Sequence, residues 1–355
     1  MKVSLLFAPL LLGLMIAESR AQIGGAAAPF ARMGFSARGV ALGNAGGAVI
    51  SAGELQPYYN PALISFADYY DATLTYTFLT LDRSLNFASF LGKVGPTAGL
   101  GVAWINAGVS NIDARNRDGE PLGSLSTSEN LFMLSFANRF TDDFSVGLTL
   151  RGYLASLARD LRNSFTVGFD VGALYRLTLD SLSTLTLALS AADILSQYRW
   201  DTTPIYDLQG TTTTDPMPLA LRASLAWQRK GLLGWQTVVL AAEVQVLTVA
   251  LEGRRTVFVT EGSLVRQTLE SQTLRRSEVH LRLGAMLQPV RALKFRIGID
   301  RVGLQGVTLL EIATPSMGFS VEYPIERVLA ALDYAFVLEP NAPIGMNLIS
   351  LSVKF

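Results

Sequence analysis

The sequence has 355 residues, of which 29 are basic and 29 acidic, with one histidine and no cysteine. A zero net charge with scattered lysines and arginines excludes a nucleic-acid partner, because binding of phosphates requires clustered positive charge. The same composition leaves no set of transition-metal ligands, so we expect no metal and no other cofactor.

The first 21 residues have the pattern of a secretory signal peptide. Lys2 supplies the positive charge, an apolar stretch runs from Val3 to Ile16, and Ser19 and Ala21 are small residues suited to a cleavage site. We expect cleavage after Ala21. Because the chain has no cysteine, its stability cannot come from disulfides, and no lipid anchor can be attached through a cysteine.

The segment after the signal peptide is dominated by glycine and alanine. Gly39, Gly43 and Gly47 recur at a spacing of four, on one face of a predicted helix, and small residues at that spacing let a helix approach its neighbour closely. Arg38 and Asn44 interrupt any membrane-spanning run. The segment is therefore either a plug packed inside the fold that follows, which we favour, or a loose tail.

The motif Asn60-Pro61-Ala62 stands near the end of this segment. Proline fixes its own φ and pushes the preceding residue out of the helical region, so Asn60-Pro61 suits a change of chain direction. We predict that the motif is the hinge between the plug and the first strand. Three aromatic residues are expected to hold this corner: Tyr58, Tyr59 and Phe66.

Beyond residue 66 the sequence alternates between apolar and polar residues. From Phe165 to Leu177, for example, every second side chain is apolar or aromatic, which predicts a strand with one apolar face. No stretch after the signal peptide approaches the roughly 20 apolar residues of a membrane-spanning helix. We predict fourteen strands: 72–81, 84–91, 97–106, 130–139, 144–155, 164–177, 184–192, 218–228, 235–247, 278–288, 292–301, 315–323, 327–338 and 344–355.

The polar face of these strands distinguishes two folds that share the alternation. A soluble sandwich accepts lysine and glutamate freely on that face, whereas a membrane barrel collects small residues and a few balanced charges in its lumen. Here the face holds small residues and charges of both signs. We therefore predict an all-β fold, a transmembrane antiparallel β-barrel of about fourteen strands, and assign these side chains to its lumen: Arg151, Asp170, Arg176, Arg222, Glu243, His280, Arg282, Lys294, Arg296, Asp300, Glu322 and Asp333.

A catalytic role for His280 is the main enzymatic alternative. As the only histidine, it would have to serve any Ser-His-Asp arrangement, and it lies on the polar face between Val279 and Leu281. We expect it to form hydrogen bonds in the lumen and predict no enzymatic activity.

Connection lengths favour an outer-membrane barrel. The long connections 107–129, 193–217, 248–277 and 302–314 all follow odd-numbered predicted strands, and outer-membrane barrels have long outer loops and tight periplasmic turns. The last strand ends on Phe355, like the terminal signal that directs barrel insertion. We expect an integral location in the bacterial outer membrane, with lipid and the barrel-assembly machinery as partners.

Two features leave alternatives open. The stretch Arg254 to Arg276 mixes β-forming and charged residues, and could extend two strands above the membrane either to bind cargo or to shield the lumen. Gly99 and Gly101 in the third predicted strand permit either a kink that opens the wall or, the reading we favour, room for the plug.

Three short motifs of the N-terminal segment, a Gly-Ala-Arg-like element, Leu-Gly-Asn-Ala and Tyr-Asn-Pro-Ala, resemble the signature of the PorV/PorQ family within the FadL-like superfamily. The matching positions are Gly34, Ala37, Arg38, Gly39, Leu42, Gly43, Asn44, Ala45, Tyr59, Asn60, Pro61 and Ala62. Many relatives carry paired acidic residues in the spacer, where this sequence has only Glu54. We assign the plug and hinge role to ten residues: Gly34, Arg38, Gly39, Gly43, Asn44, Gly47, Tyr59, Asn60, Pro61 and Ala62.

The resemblance implies two different functions. FadL-type proteins carry long-chain fatty acids and other hydrophobic molecules through a plugged barrel, whereas PorV-type proteins bind exported cargo in the type IX secretion system. Because the assigned inward positions are charged or small, we predict a PorV/PorQ-type component with secreted cargo and other secretion components as partners. The alternative is a FadL-like transporter with a hydrophobic small-molecule ligand. The predicted organisation is a signal peptide (1–21), a plug segment (22–66) and a barrel (67–355).

Overall fold

The computed structural model describes residues 26–51, 55–116, 118–157, 161–261, 264–303, 313–338 and 345–355. The predicted signal peptide with its cleavage site at Ala21, and Glu54 in the spacer, lie outside the described residues.

The wall of the protein is a closed antiparallel barrel of fourteen strands within the described residues. These strands are β1 (Asp71–Phe78), β2 (Arg83–Val94), β3 (Ala98–Arg115), β4 (Pro121–Arg139), β5 (Phe144–Ser156), β6 (Ser164–Thr178), β7 (Ser183–Ile194), β10 (Leu219–Lys230), β11 (Thr237–Glu261), β12 (Leu264–Val290), β13 (Leu293–Gly303), β14 (Thr314–Ile325), β15 (Val328–Val337) and β16 (Met346–Lys354). Neighbouring strands are consecutive along the chain except that β7 pairs with β10, and β1 closes the barrel against β16.

A small separate sheet lies in the connection between β7 and β10. It consists of β8 (Gln197–Asp201) and β9 (Thr212–Pro216), and an α-helical turn, Thr203–Tyr206, and a 3-10 turn, Asp207–Gln209, join the two strands. A further 3-10 turn, Leu232–Gly234, connects β10 to β11.

The predicted fold class is confirmed, and each of the fourteen predicted strands overlaps one barrel strand. Four strands run well beyond their predicted ends: β3 and β4, and β11 and β12, which pair with each other as far as Glu261 and Leu264. The apolar alternation stops where the wall no longer meets lipid, but two paired backbones need no apolar face to continue. β8 and β9 fall in the predicted loop 193–217 for the same reason.

Strand β1 illustrates why these sequences form a barrel wall. Thr73, Thr75 and Thr77 are buried inside, whereas Leu74 and Tyr76 are exposed on the outer face, because successive side chains point to opposite faces of a sheet. The outer face is therefore apolar and the inner face polar, as in a barrel surrounded by lipid. Among the described residues, no helix is both long and apolar enough to cross a membrane.

The two ends of the barrel differ in the length of their connections. At the end where β1 begins and β16 ends, which we call the short-turn end, the connections are 95–97, 140–143, 179–182, 231–236, 291–292 and 326–327. The opposite end, the long-loop end, carries the β8–β9 sheet and the continuation of β11 and β12. This asymmetry agrees with the expected arrangement of periplasmic turns and outer loops.

Residues 26–51 and 55–70 lie against the inner wall, and we call them the plug. The plug contains a 3-10 turn, Pro29–Arg32, a short α-helix, Ala37–Ala41, which we call the plug helix, and a second 3-10 turn, Pro61–Phe66. Most of its side chains are buried, including Phe35 and Leu63. The lumen is therefore a packed core and not an open channel in this structure.

The predicted helix with three glycines on one face is wrong. The plug helix ends at Ala41, and Gly43 has a φ of +65°, a conformation that favours glycine. The three glycines contact different partners: Gly39 faces the Tyr59 ring, Gly43 the backbone of β12 and β13, and Gly47 the side chains of Ser224 and Glu243. Each glycine allows close packing against a different neighbour. The spacing of four between them therefore does not reflect a helix.

Candidate functional site

The Asn-Pro-Ala motif attaches the plug to the wall. The Asn60 side chain accepts a hydrogen bond from the backbone N–H of Ala62 at 2.9 Å and so caps the 3-10 turn. Its amide nitrogen donates to the carbonyl oxygens of Ala173 at 3.3 Å and Leu189 at 3.5 Å, on β6 and β7. The motif is thus fixed to two wall strands, and its role as the hinge between the plug and the first strand stays a prediction.

Glycines in the wall make room for this attachment. A side chain at Gly147 would collide with the backbone of Pro61, one at Gly172 with the Asn60 amide, and one at Gly99 with the Ile64 carbonyl. At Gly101 a β-carbon would make only ordinary contacts. Of the two readings of Gly99, room for the plug accounts for this residue.

The aromatic neighbours of the motif hold different parts of the plug. Tyr58 donates from its hydroxyl to the Ala31 carbonyl at 2.9 Å, and Phe66 lies under the guanidinium groups of Arg139 and Arg176 at 5.2 and 5.4 Å. Arg176 lies at the short-turn end, where it pairs with Asp143 at 3.1 Å and is only partly buried. Its side chain therefore faces the inside of the barrel, where it meets the plug residue Phe66 near the rim.

One plug arginine is held by the two wall strands on either side of β16. Arg38 donates from Nε to Asp333 on β15 at 2.8 Å, and from Nη1 to Asp71 on β1 at 3.4 Å. Its Nη2 donates to the hydroxyl of Thr73 at 3.2 Å. All of these groups are buried, so a plug residue closes an ion-paired network with the wall.

A second network joins the motif region to β11, β12 and β13. The Tyr59 hydroxyl donates to Asn44 Oδ1 at 2.6 Å, and the Asn44 amide donates to Asp300 at 2.8 Å. Arg282 then bridges Asp300 at 2.6 Å and Glu243 at 2.8 Å. The plug residues Tyr59 and Asn44 are therefore hydrogen-bonded to the wall ion-pair triad of Asp300, Arg282 and Glu243.

A third network lies on β5, β6 and β7. Arg151 contacts Asp170 at 2.6 Å and Asp193 at 3.1 Å, and the Tyr153 hydroxyl donates to Asp193 at 2.5 Å. All four side chains are buried. Burying charges is costly unless they are paired, and these pairs satisfy that condition.

The remaining predicted lumen residues are also buried, and two of them extend these networks. Arg222 lies 4.0 Å from Glu243 and donates to the carbonyl oxygens of Tyr58 and Tyr59. Arg296 donates to Ser320, which also contacts Asp333, and His280 lies 3.6 Å from Glu278. Lys294 donates to Glu322 at 2.9 Å. The other predicted plug residues lie inside the barrel, with Gly34 at a φ of +85° beside Asn44, and Phe355 faces outward against the Tyr70 ring at 5.6 Å. The sequence therefore located the charges but not how they divide into networks.

The lumen also contains an apolar section that the sequence prediction missed. Toward the long-loop end, the inward side chains of β2 to β5 are apolar or aromatic, and plug and loop residues pack against them. The section comprises Leu85, Phe87, Ala103, Ile105, Leu131, Met133, Tyr153, Ala155, Ala28, Phe30, Ala31, Phe35, Tyr58, Tyr59, Tyr198, Trp200 and Met217. Their outward neighbours, such as Trp104 and Phe132, are apolar as well, so these strands are apolar on both faces and the alternation gives no signal.

Residues of the β8–β9 sheet cover this apolar section at the long-loop end. The Tyr198 hydroxyl donates to Glu129 at 2.8 Å and the Trp200 ring nitrogen donates to Asp215 at 2.9 Å. The Tyr198 ring lies edge-on to Tyr153, with 6.2 Å between ring centroids. Burial raises the pKa of Tyr198, with the nearby Glu129 charge acting in the same direction, so its hydroxyl remains a donor.

Comparison with known proteins places the fold. No protein-family model and no curated protein matches the sequence. Similar solved structures include the Pseudomonas putida toluene transporter TodX (12% identity, TM-score 0.53, 90% of this chain and 96% of that chain covered) and the Ralstonia pickettii toluene transporter TbuX (12%, 0.54, 90% and 97%). A Pseudomonas aeruginosa FadL homologue is similar at 11% identity with a TM-score of 0.52, over 90% of this chain and 98% of that chain.

At such low identities these similarities show a shared fold alone, the closed antiparallel barrel of fourteen strands described above. The protein is therefore an integral outer-membrane β-barrel, with its short-turn end toward the periplasm and its long-loop end outside.

Proposed function

We propose that the protein is a FadL-like channel that carries hydrophobic small molecules across the outer membrane. The observation that carries the proposal is the apolar section, which replaces the polar, water-filled lumen of a general porin with aromatic and aliphatic side chains. Two proteins with this fold are described as toluene transporters, which fits a ligand of the same chemical class.

The apolar section favours such ligands because each 100 Å² of apolar surface that leaves water contributes about 2.5 kcal/mol. Beyond it, toward the periplasm, the plug and the three ion-pair networks fill the lumen. Passage of a hydrophobic molecule through these networks is unfavourable, because it would separate buried charges and offer them no hydrogen bonds in return. Transport therefore requires either displacement of the plug or an opening in the wall.

The proposal predicts that a polar group in the apolar section reduces uptake. We expect deletion-strain cells that express Leu131→Asn to take up labelled toluene or oleate at no more than about a third of the rate of cells with the wild-type protein. The reason is that one amide in an apolar site costs about 1–3 kcal/mol. The measurement is whole-cell uptake, normalised to the amount of folded barrel in the outer membrane.

Leu348→Asn is the matched control. Leu348 is an equally buried leucine on β16, but it packs with the plug helix outside the apolar section. We expect near wild-type uptake from this variant. Uptake that is unchanged by deletion of the whole protein, or reduced equally by both variants, would contradict the proposal.

A secretion role of the PorV/PorQ type remains a second candidate because of one feature. In the described residues, β10 pairs with β11 only as far as Thr248, and β13 pairs with β12 only from His280. Beyond these points β11 and β12 pair only with each other and continue past the barrel as a two-stranded ribbon. A two-stranded ribbon outside the membrane offers backbone edges to a protein partner.

Pull-down from native outer membranes separates this candidate from the transporter. The secretion role predicts that the tagged protein recovers cargo or secretion components, and that deletion of Arg254 to Arg276 reduces their recovery at least about fivefold, a loss of about 1 kcal/mol. Recovery of the same proteins by an unrelated tagged barrel, or of none, would contradict the secretion role.

A further inference from the structure

The outer face of the barrel carries a groove of about 390 Å³. The described residues that line it belong to six neighbouring wall strands, β5 to β7 and β10 to β12. Exposed side chains such as Tyr175, Leu189 and Leu225 border it, and in a strand these point away from the buried lumen side chains between them. We call it the wall groove. It therefore opens toward the lipid and not toward the lumen.

Alanines at outward positions produce the wall groove. On β10, Ala223 stands between the exposed Leu221 and Leu225, on the same face of the strand. Ala223 and Ala173 of β6 are the register partners of Leu189 on β7, one on each side. Large side chains cover the outer face above and below these alanines, so the wall is indented beside Leu189 and not across its whole surface.

The wall groove begins near the short-turn end of the barrel. Phe144 is the first residue of β5 and Tyr175 lies close to the end of β6, and both border the groove. On β11 the groove reaches Val244, seven residues after Thr237, where that strand begins. At about 3.4 Å per residue and a strand tilt of about 40°, this is roughly 18 Å of depth, comparable with one leaflet of a hydrocarbon core about 30 Å thick.

Van der Waals contact decides what fills the wall groove. Lipid tails are as apolar as leucine, so the hydrophobic effect does not drive a chain into it. A surface left without partner atoms nevertheless loses its dispersion contacts, and a flexible hydrocarbon chain can restore them. We propose that the wall groove binds one acyl chain of a phospholipid from the periplasmic leaflet, as a structural lipid and not as a transported molecule.

A second copy of the protein fits the wall groove less well. The outer wall of a barrel is convex, so another barrel cannot enter an indentation in it, and a stable protein interface needs about 800 Å² from each partner. The proposed lipid site goes beyond the transport function and does not depend on it, because it lies on the opposite side of the wall from the apolar section.

The test is native mass spectrometry of the full-length protein released from nanodiscs of palmitoyl-oleoyl phosphatidylethanolamine. We expect the wild-type protein to retain one phospholipid. Ala173→Leu with Ala223→Leu fills the wall groove, and should lower the ratio of lipid-bound to lipid-free protein at least about fivefold, which corresponds to about 1 kcal/mol. Leucine suits the lipid-facing side of a barrel, so this double variant should fold as the wild type does.

Ala330→Leu is the matched control. Ala330 is a partly buried alanine on the outward face of β15, outside the lining of the wall groove, and we expect unchanged lipid retention. No retained lipid in the wild type, equal retention in the double variant, or an equal loss from Ala330→Leu would overturn the proposal.

Photo-crosslinking in liposomes then locates the acyl chain. A phosphatidylethanolamine with a diazirine on its acyl chain should label peptides that contain Leu189 or Leu225 at least about threefold more than a peptide on the far side of the barrel, such as one that contains Leu351. Equal labelling of these peptides would contradict the proposal. Cross-links between two copies through Leu189 or Leu225, in place of lipid adducts, would also overturn it and identify a second copy as the occupant.

Discussion

At the scale of single residues, wall glycines determine how closely the plug approaches the barrel. Gly147 on β5 leaves room for the backbone of Pro61, which a β-carbon at this position would approach to 2.5 Å. Gly152, on the same strand, would meet nothing nearer than a ring carbon of Phe165 at 4.0 Å. Two glycines on one strand therefore have different structural roles.

This difference gives a prediction for stability. Gly147→Ala should lower the free energy of unfolding by about 1–3 kcal/mol, because a backbone neighbour cannot move aside as a side chain can. Gly152→Ala should change it by no more than about 0.5 kcal/mol. Urea unfolding of the two purified variants in the same detergent measures both values. Equal destabilisation would show that the plug does not require this close approach.

At the scale of elements, the plug helix depends on its ion pairs more than on its own sequence. It has five residues, Ala37 to Ala41, too few to be stable alone, and its Arg38 reaches β1 and β15. The glycine spacing suggested a longer helix, since a repeat of four is typical of one. The three glycines follow that repeat because three separate close contacts need small side chains, one with Tyr59 of the plug and two with the wall. No local sequence pattern reveals such contacts.

Removal of the Arg38 charge should therefore release the plug helix. A buried pair that loses one partner costs about 3–5 kcal/mol, and because Ser320 also contacts Asp333, we expect Arg38→Gln to fall at the lower end. Hydrogen exchange of the amides from Ala37 to Ala41 should become faster while the barrel strands keep their protection.

Arg115→Gln serves as the comparison for this effect. Arg115 pairs with Asp113 at 2.8 Å, but both side chains are about 60% exposed. Exposed pairs contribute about 0–1 kcal/mol, so exchange in the plug helix should not change. Unaltered exchange in Arg38→Gln would mean that apolar packing alone holds the helix.

At the scale of the whole molecule, the features that could be predicted from the sequence are those that a membrane environment requires. Strand number, closure and the two unequal ends follow from the requirement that every backbone group in lipid be paired and every outward side chain be apolar. The apolar section does not follow, because the inward Leu131 and Met133 stand between outward Phe132 and Leu134 and no polar face marks the lumen. The sequence revealed only the charged and small inward residues. With the apolar section hidden, those residues led to the prediction of a secretion function over transport.

The seam between β1 and β16 joins the first and last strands of the barrel, so the wall cannot close before β16 has been made. The plug helix contacts all three strands at this seam: Arg38 binds β1 and β15, and the backbone N–H of Ala37 donates to Ser350 on β16 at 3.0 Å. Ser350 in turn contacts Thr75 on β1 at 2.7 Å. The plug helix therefore bridges the seam at which the barrel closes, so closure of the wall and placement of the N-terminal segment depend on the same contacts.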